Sequence, residues 1–161
     1  LTTGHQHDGP AAVRYPRGTG TGVEYPAIDQ TIEIGKGITK LEGKDIAILS
    51  FGTMLGEAKK AAVALGAALV DMRFVKPLDE SLIETLAKKH SAFITIEDNV
   101  IAGGAGSAVN EFALATGLGC KILNIGLPDE FIKHGTQQEI HQELGLDAAG
   151  IESKIKKFLN L

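Results

Sequence analysis

From residue 45 onward the hydrophobic positions fall into a repeating pattern. Residues 46–49 form a continuous apolar run, after which Met54, Leu55, Ala58, Ala61, Ala62 and Leu65 recur at helical spacing. A second apolar run, 67–72, is followed by Asp79, placed to cap a helix whose stripe is Leu82, Ile83, Leu86 and Ala87. A third run, 92–96, leads into glycines 103, 104 and 106 and then a helical stripe of Ala108, Val109, Phe112 and Ala113. Residues 121–125 make a fourth run. Strands apolar on both faces, separated by single amphipathic helices, predict an α/β fold: a mostly parallel sheet covered by helices on both faces.

The two ends depart from this repeat. At the C-terminal end, Thr136-Gln-Gln-Glu139 has capping-box spacing and predicts a short helix ending near Gly145. Asp147 is placed to cap a last helix with Ile151, Ile155, Phe158 and Leu159 on its apolar face. Lys154, Lys156 and Lys157 stand near the negative end of that helix's dipole and read as a solvated face. At the N-terminal end, residues 1–7 read as the end of a helix, and 11–13 as a short strand that stops by Tyr15 because Pro16 has no backbone N–H. Residues 19–29 have the Gly, Thr and Pro content of a linker. The alternation at 31–34 and the short stretch at 37–41 predict an edge strand or hairpin leading into the repeat. The domain division expected is thus 1–18, a linker over 19–29, and 30–161.

Composition narrows the function. With 161 residues and 43% hydrophobic content, the chain can bury one sizeable core. A net charge of -4 argues against a broadly basic surface for nucleic acid or anionic membrane. No apolar run approaches the roughly 20 residues that span a bilayer. A single cysteine, Cys120, supports no intramolecular disulfide and no Cys-rich zinc site, so a cytoplasmic location is expected, with Cys120 read as a small buried apolar residue.

Candidate chemistry is sparse. In a parallel sheet, ligands collect beyond the carboxyl ends of the strands. That edge should carry Ser50 to Thr53, Arg73 to Lys76, Glu97 to Asn99 with the glycines that follow, and Gly126 to Asp129. Glycines 103, 104 and 106 do not make Gly-x-Gly-x-x-Gly, which disfavours a dinucleotide site; they suit close backbone packing against the chain's own sheet or another subunit. Glu97 and Asp98 are adjacent on a strand and point to opposite faces, so an ion pair or a cap on the following loop suits them better than shared acid–base or Mg²⁺ chemistry. His134 reads as a surface or interface residue, and His5 with His7 as parts of a solvated loop. Arg14 and Arg17 flank Pro16, where a guanidinium fork suits phosphate or carboxylate, although ion-pair or surface roles remain open on spacing alone.

Five stretches together resemble a known family. They are Asp8-Gly-Pro-Ala-Ala-Val-Arg-Tyr-Pro-Arg-Gly18, Asp71-Met-Arg-Phe-Val-Lys-Pro-Leu-Asp79, Ile96-Glu-Asp98, Gly103-Gly-Ala-Gly-Ser-Ala-Val109 with Asn110-Glu111, and Gly126-Leu-Pro-Asp-Glu-Phe-Ile-Lys-His-Gly135. In order and spacing they are similar to the 1-deoxy-D-xylulose-5-phosphate synthases, transketolase-like enzymes. The resemblance implies that residues 1–18 end a pyrimidine-binding domain and that 30–161 are a transketolase-like C-terminal domain supporting a homodimer. It implies thiamine diphosphate and Mg²⁺ in the whole enzyme, held by motifs absent from this chain, so that the chain alone binds no cofactor or metal and carries no catalytic residue. It implies Arg17, and less directly Arg14, as contacts to the phosphate of glyceraldehyde 3-phosphate. Pyruvate is the other substrate, and the product feeds isoprenoid and thiamine synthesis. A transketolase, an oxoacid dehydrogenase beta subunit, or a non-catalytic binding or assembly module are the alternatives.

Overall fold

In a computed structural model of the chain, the residues described are 1–15, 20, 22 and 30–161. They form two compact units, Leu1–Ile34 and Gly35–Leu161. The first contains a short helix, α1 (Thr2–Gln6), and the Thr3 hydroxyl accepts the Ile32 N–H at 2.9 Å. The strand expected over 11–13 does not form. A strand needs a ladder partner, and among the described residues of this unit no other segment is a strand. The linker expected over 19–29 lies almost wholly outside the described residues.

The second unit is a five-stranded sheet flanked by helices. Its strands are β1 (Ile38–Leu41), β2 (Asp45–Phe51), β3 (Ala68–Asp71), β4 (His90–Val100) and β5 (Lys121–Leu127), in the spatial order β1-β3-β2-β4-β5. Only β1 runs antiparallel to its neighbour. The edge strand expected near the start is therefore present, while the hairpin is not, because 30–33 form no strand. β4 is longer than its apolar run: Glu97 pairs with Phe51 and, past an irregularity, Val100 pairs with Leu127.

Alternation along the strands divides the core in two. Ile46 and Ile48 of β2, with Ile94 and Ile96 of β4, meet α2 (Leu55–Leu65) and α6 (Ala148–Leu159) through Ala58, Ala61, Ala62, Ile151 and Ile155. Ala47 and Leu49 of β2, with Phe93 of β4, meet α3 (Glu80–Ala87) and α4 (Ala105–Thr116) through Ile83, Leu86 and Val109. The small residues of α2 let that helix lie close to the sheet; a fully buried Leu or Ile on the strand below contributes about 1.5–3 kcal/mol by leaving water.

The caps form where the residue types place them. Asp147 accepts the Gly150 N–H at 2.9 Å. Thr136 and Glu139 form a reciprocal capping box that starts α5 (Gln137–Glu143). Asp79, 4% exposed, accepts the Leu82 N–H at 3.2 Å, the Ser81 hydroxyl at 2.8 Å and, 42 residues back in the chain, the Gly37 N–H at 3.0 Å. One carboxylate thus caps α3 and fastens the lead-in to β1. Burial pushes this carboxyl up, but the Gly37, Ser81 and Leu82 bonds and the Lys36 charge outweigh it and hold it below the ordinary value.

Because its pKa is depressed, the stability Asp79 contributes is present above the unfolded carboxylate range and is lost as pH falls through the folded value. Asp79→Asn should lower stability at pH 7 by about 1–2 kcal/mol. In urea unfolding the gap between wild type and variant should narrow below about pH 4. An equal gap at pH 7 and in strong acid would show that the charge contributes nothing.

Candidate functional site

After β2 the chain passes through a 3-10 turn (Gly52–Met54) to α2 on one face; after β4 it passes to α4 on the opposite face. The carboxyl ends of β2 and β4 are neighbours, so the connections diverge between them. That is the switch point where open α/β sheets place their ligands.

Glu97 and Asp98 stand there, and strand alternation sends them to opposite sides. Glu97, 3% exposed, accepts the N–H groups of Ala105 at 2.8 Å and Gly106 at 2.9 Å, placing its charge on the positive end of α4. The cap expected of one of these carboxylates is therefore Glu97. The glycines serve the same contact. A Cβ on Gly104 would run into the Glu97 carboxylate and the Val100 carbonyl, and one on Gly106 into Thr95 and Asn124. The close approach these glycines permit is thus to the chain's own sheet.

Asp98 faces the other way, toward α5. Its carboxylate accepts from the Thr53 hydroxyl at 3.4 Å and the Gln137 amide at 3.3 Å, and stands 3.4 Å from His141 Nε2. Nearby, Glu57 accepts Lys60 Nζ at 2.6 Å and the Ala148 N–H at the start of α6 at 2.9 Å. The Lys60 hydrogen bond, with help from Ala148 and the charges of Lys60 and His141, holds Glu57 below the ordinary carboxylate value against the effect of burial. Lys154 donates to the Leu144 carbonyl at 2.7 Å, and burial pushes its ammonium pKa down. It is thus a structural donor and not part of a solvated face, unlike Lys156, which pairs with Glu152.

Arg14 is exposed in the first unit, and Arg17 falls outside the described residues. His5, His7 and His134 are exposed. Cys120 precedes β5, packs beside the core and has its thiol pKa raised by burial, which leaves little thiolate to react. Thr53 lies in the edge expected over 50–53, whereas Gln137 and His141 were not singled out from sequence as site residues. Gln137 and His141 are four apart on a helix that the capping box announces, so their shared face was readable; their meeting with Asp98 was not.

The geometry disfavours a diphosphate at the glycine loop. The first N–H donors of α4 are already engaged by a buried carboxylate, which would also repel phosphate. Residues 35–151 match the family described as transketolase, C-terminal domain. The chain belongs to this family. It is 62% identical to 1-deoxy-D-xylulose-5-phosphate synthase of Colwellia psychrerythraea and 57% identical to that of Pectobacterium atrosepticum, over 99% of its own length in both cases. It spans only 27% and 26% of those two relatives. Among solved structures it is similar to a split-gene transketolase described as an inactive beta4 tetramer, at 32% identity and a TM-score of 0.75, covering 86% of this chain and 47% of that one. The α/β architecture and the transketolase-like assignment expected from the motifs both stand.

Glu97→Ala would orphan two buried N–H groups and should cost about 2–4 kcal/mol. Gly104→Ala should also destabilise, by about 1–3 kcal/mol through overpacking. Since the added methyl collides with the Glu97 side chain, the double variant should lose less than the sum of the two. Chemical denaturation of the four proteins checks this; strict additivity would mean that Gly104 is not needed for the Glu97 contact.

Proposed function

We propose that this chain is the C-terminal region of a 1-deoxy-D-xylulose-5-phosphate synthase. The whole enzyme would condense pyruvate with glyceraldehyde 3-phosphate, with loss of CO₂, to give 1-deoxy-D-xylulose 5-phosphate. The observation that carries this reading is identity of 55–62% to such synthases over 99% of the chain, which includes the Arg14-Tyr-Pro-Arg17 stretch outside the matched domain. Thiamine diphosphate and Mg²⁺ would be held by parts of the enzyme that this chain does not contain, the cofactor supplying the electron sink for decarboxylation. Within this chain, Arg17 is the proposed contact to the phosphate of glyceraldehyde 3-phosphate and Arg14 the second candidate. Residues 30–161 serve assembly, as part of a homodimer in the cytoplasm.

Two outcomes are expected. The 161-residue chain alone should not turn over pyruvate with glyceraldehyde 3-phosphate; measurable product from the purified chain would overturn the division of labour. In the full-length synthase, Arg17→Ala should lower kcat/KM for glyceraldehyde 3-phosphate by about tenfold to a hundredfold, as the loss of a charge-assisted bond worth roughly 1.5–3 kcal/mol requires. Arg17→Lys should recover part of it, since an ammonium lacks the fork. Unphosphorylated glyceraldehyde is the control: equal slowing of both acceptors would show that Arg17 acts on structure and not on the phosphate.

A further inference from the structure

We propose that residues 128–145 form a strap that closes over the carboxyl ends of β2 and β4 and is latched there by the Asp98–His141 pair. α5 buries none of its residues, and the strap is exposed over 129–139, with the Phe131 side chain wholly in solvent. The helix itself gains little from apolar burial; the strap's anchor in the core is Leu144 at its C-terminal end, where Lys154 also holds its carbonyl. The side-chain hydrogen bonds of α5 to the body of the domain, from Gln137 and His141, both end on the one carboxylate of Asp98. The elements on either side are fastened independently: β5 by its ladder to β4, and α6 by Ile151, Ile155 and the Glu57–Ala148 bond. Gly145, at φ +61°, supplies a turn where the strap rejoins α6. Opening would uncover Asp98 at the switch point, beside the already exposed Thr53, where sheets of this class present groups to ligands.

The latch depends on protonation. A cationic His141 makes a charge-assisted bond to Asp98, roughly twice as strong as the neutral one. The charged groups around it are Asp98 from β4 and, from α2, Glu57, whose own partner is Lys60. From α6, Lys154 is engaged with the Leu144 carbonyl. On α5 itself Glu139 is turned into its capping box. Two carboxylates thus stand around the imidazole, and both ammonium groups already have partners of their own. Raising pH should then release the strap.

Hydrogen–deuterium exchange with mass spectrometry on the 161-residue chain tests this between about pH 5.5 and 8.5, the span over which histidines change charge. After correction for intrinsic exchange, peptides covering 128–145 should exchange about threefold to tenfold faster at the upper pH, with β2 and β4 unchanged. His141→Gln should exchange fast at both pH values, and His141→Arg, a permanent cation, slowly at both. A pH response that persists in His141→Gln, that appears equally in β2 and β4, or that is absent from wild type would overturn the proposal. So would His141→Arg behaving like wild type at high pH.

Discussion

β2 and β4 carry helices on both of their faces, and this constraint governs where polar groups can stand. Along most of their length a side chain meets Ile, Leu, Val, Met, Phe and the small residues of α2. A carboxylate set into that layer would cost several kcal/mol without a partner. At the carboxyl ends the covering helices begin, and a helix beginning offers N–H groups in place of methyls. Glu97 is tolerated at 3% exposure because two such groups reach it. The position of α4 follows from the same contact, since its first turn must come close enough for Gly104 and Gly106 to lie on the strand.

The same strand end shows why adjacent carboxylates behave so differently. Glu97 meets rigid backbone donors within a dozen residues of itself, so its partners come with the turn into α4. Asp98, one residue on, faces donors supplied by side chains from Thr53, Gln137 and His141. Three elements must be in place before those bonds exist, and each bond is longer than those made by Glu97. One carboxylate is therefore part of the fold's permanent wiring, and the other reports whether α5 is seated.

Much of this was legible in the sequence, and what was not has a physical reason. The four apolar runs, the stripes of α2, α3, α4 and α6, and the caps at Asp79, Thr136 and Asp147 are local signals, set by residues within a few positions of one another. The strand over 11–13 failed because a strand is defined by its partner, and propensity names none. β4 runs past Ile96 through four polar or mixed residues because β5 continues beside it to Leu127. Lys154 passed for a solvated lysine until Leu144, ten residues earlier, was seen to leave a carbonyl within its reach. The Asp98–His141 contact spans 43 residues, and no periodicity connects its ends. The motif at Asp8 to Gly18 was legible for another reason: it resembles a family's signature, which is read from residue identity and not from periodicity.

A transketolase-type C-terminal domain keeps the switch-point geometry of nucleotide-binding sheets, yet two features of this chain turn it to structural use. The loop that would cradle a diphosphate in a dinucleotide fold carries glycines at the wrong spacing, and its donors point at Glu97. On the other side of the strand, Asp98 is met by Gln137 and His141 of α5. Replacing a ligand's phosphate by a carboxylate of the chain itself satisfies the same N–H groups without a bound molecule. The positive end of α4 is thereby spent on the fold itself, as a link between helix and sheet.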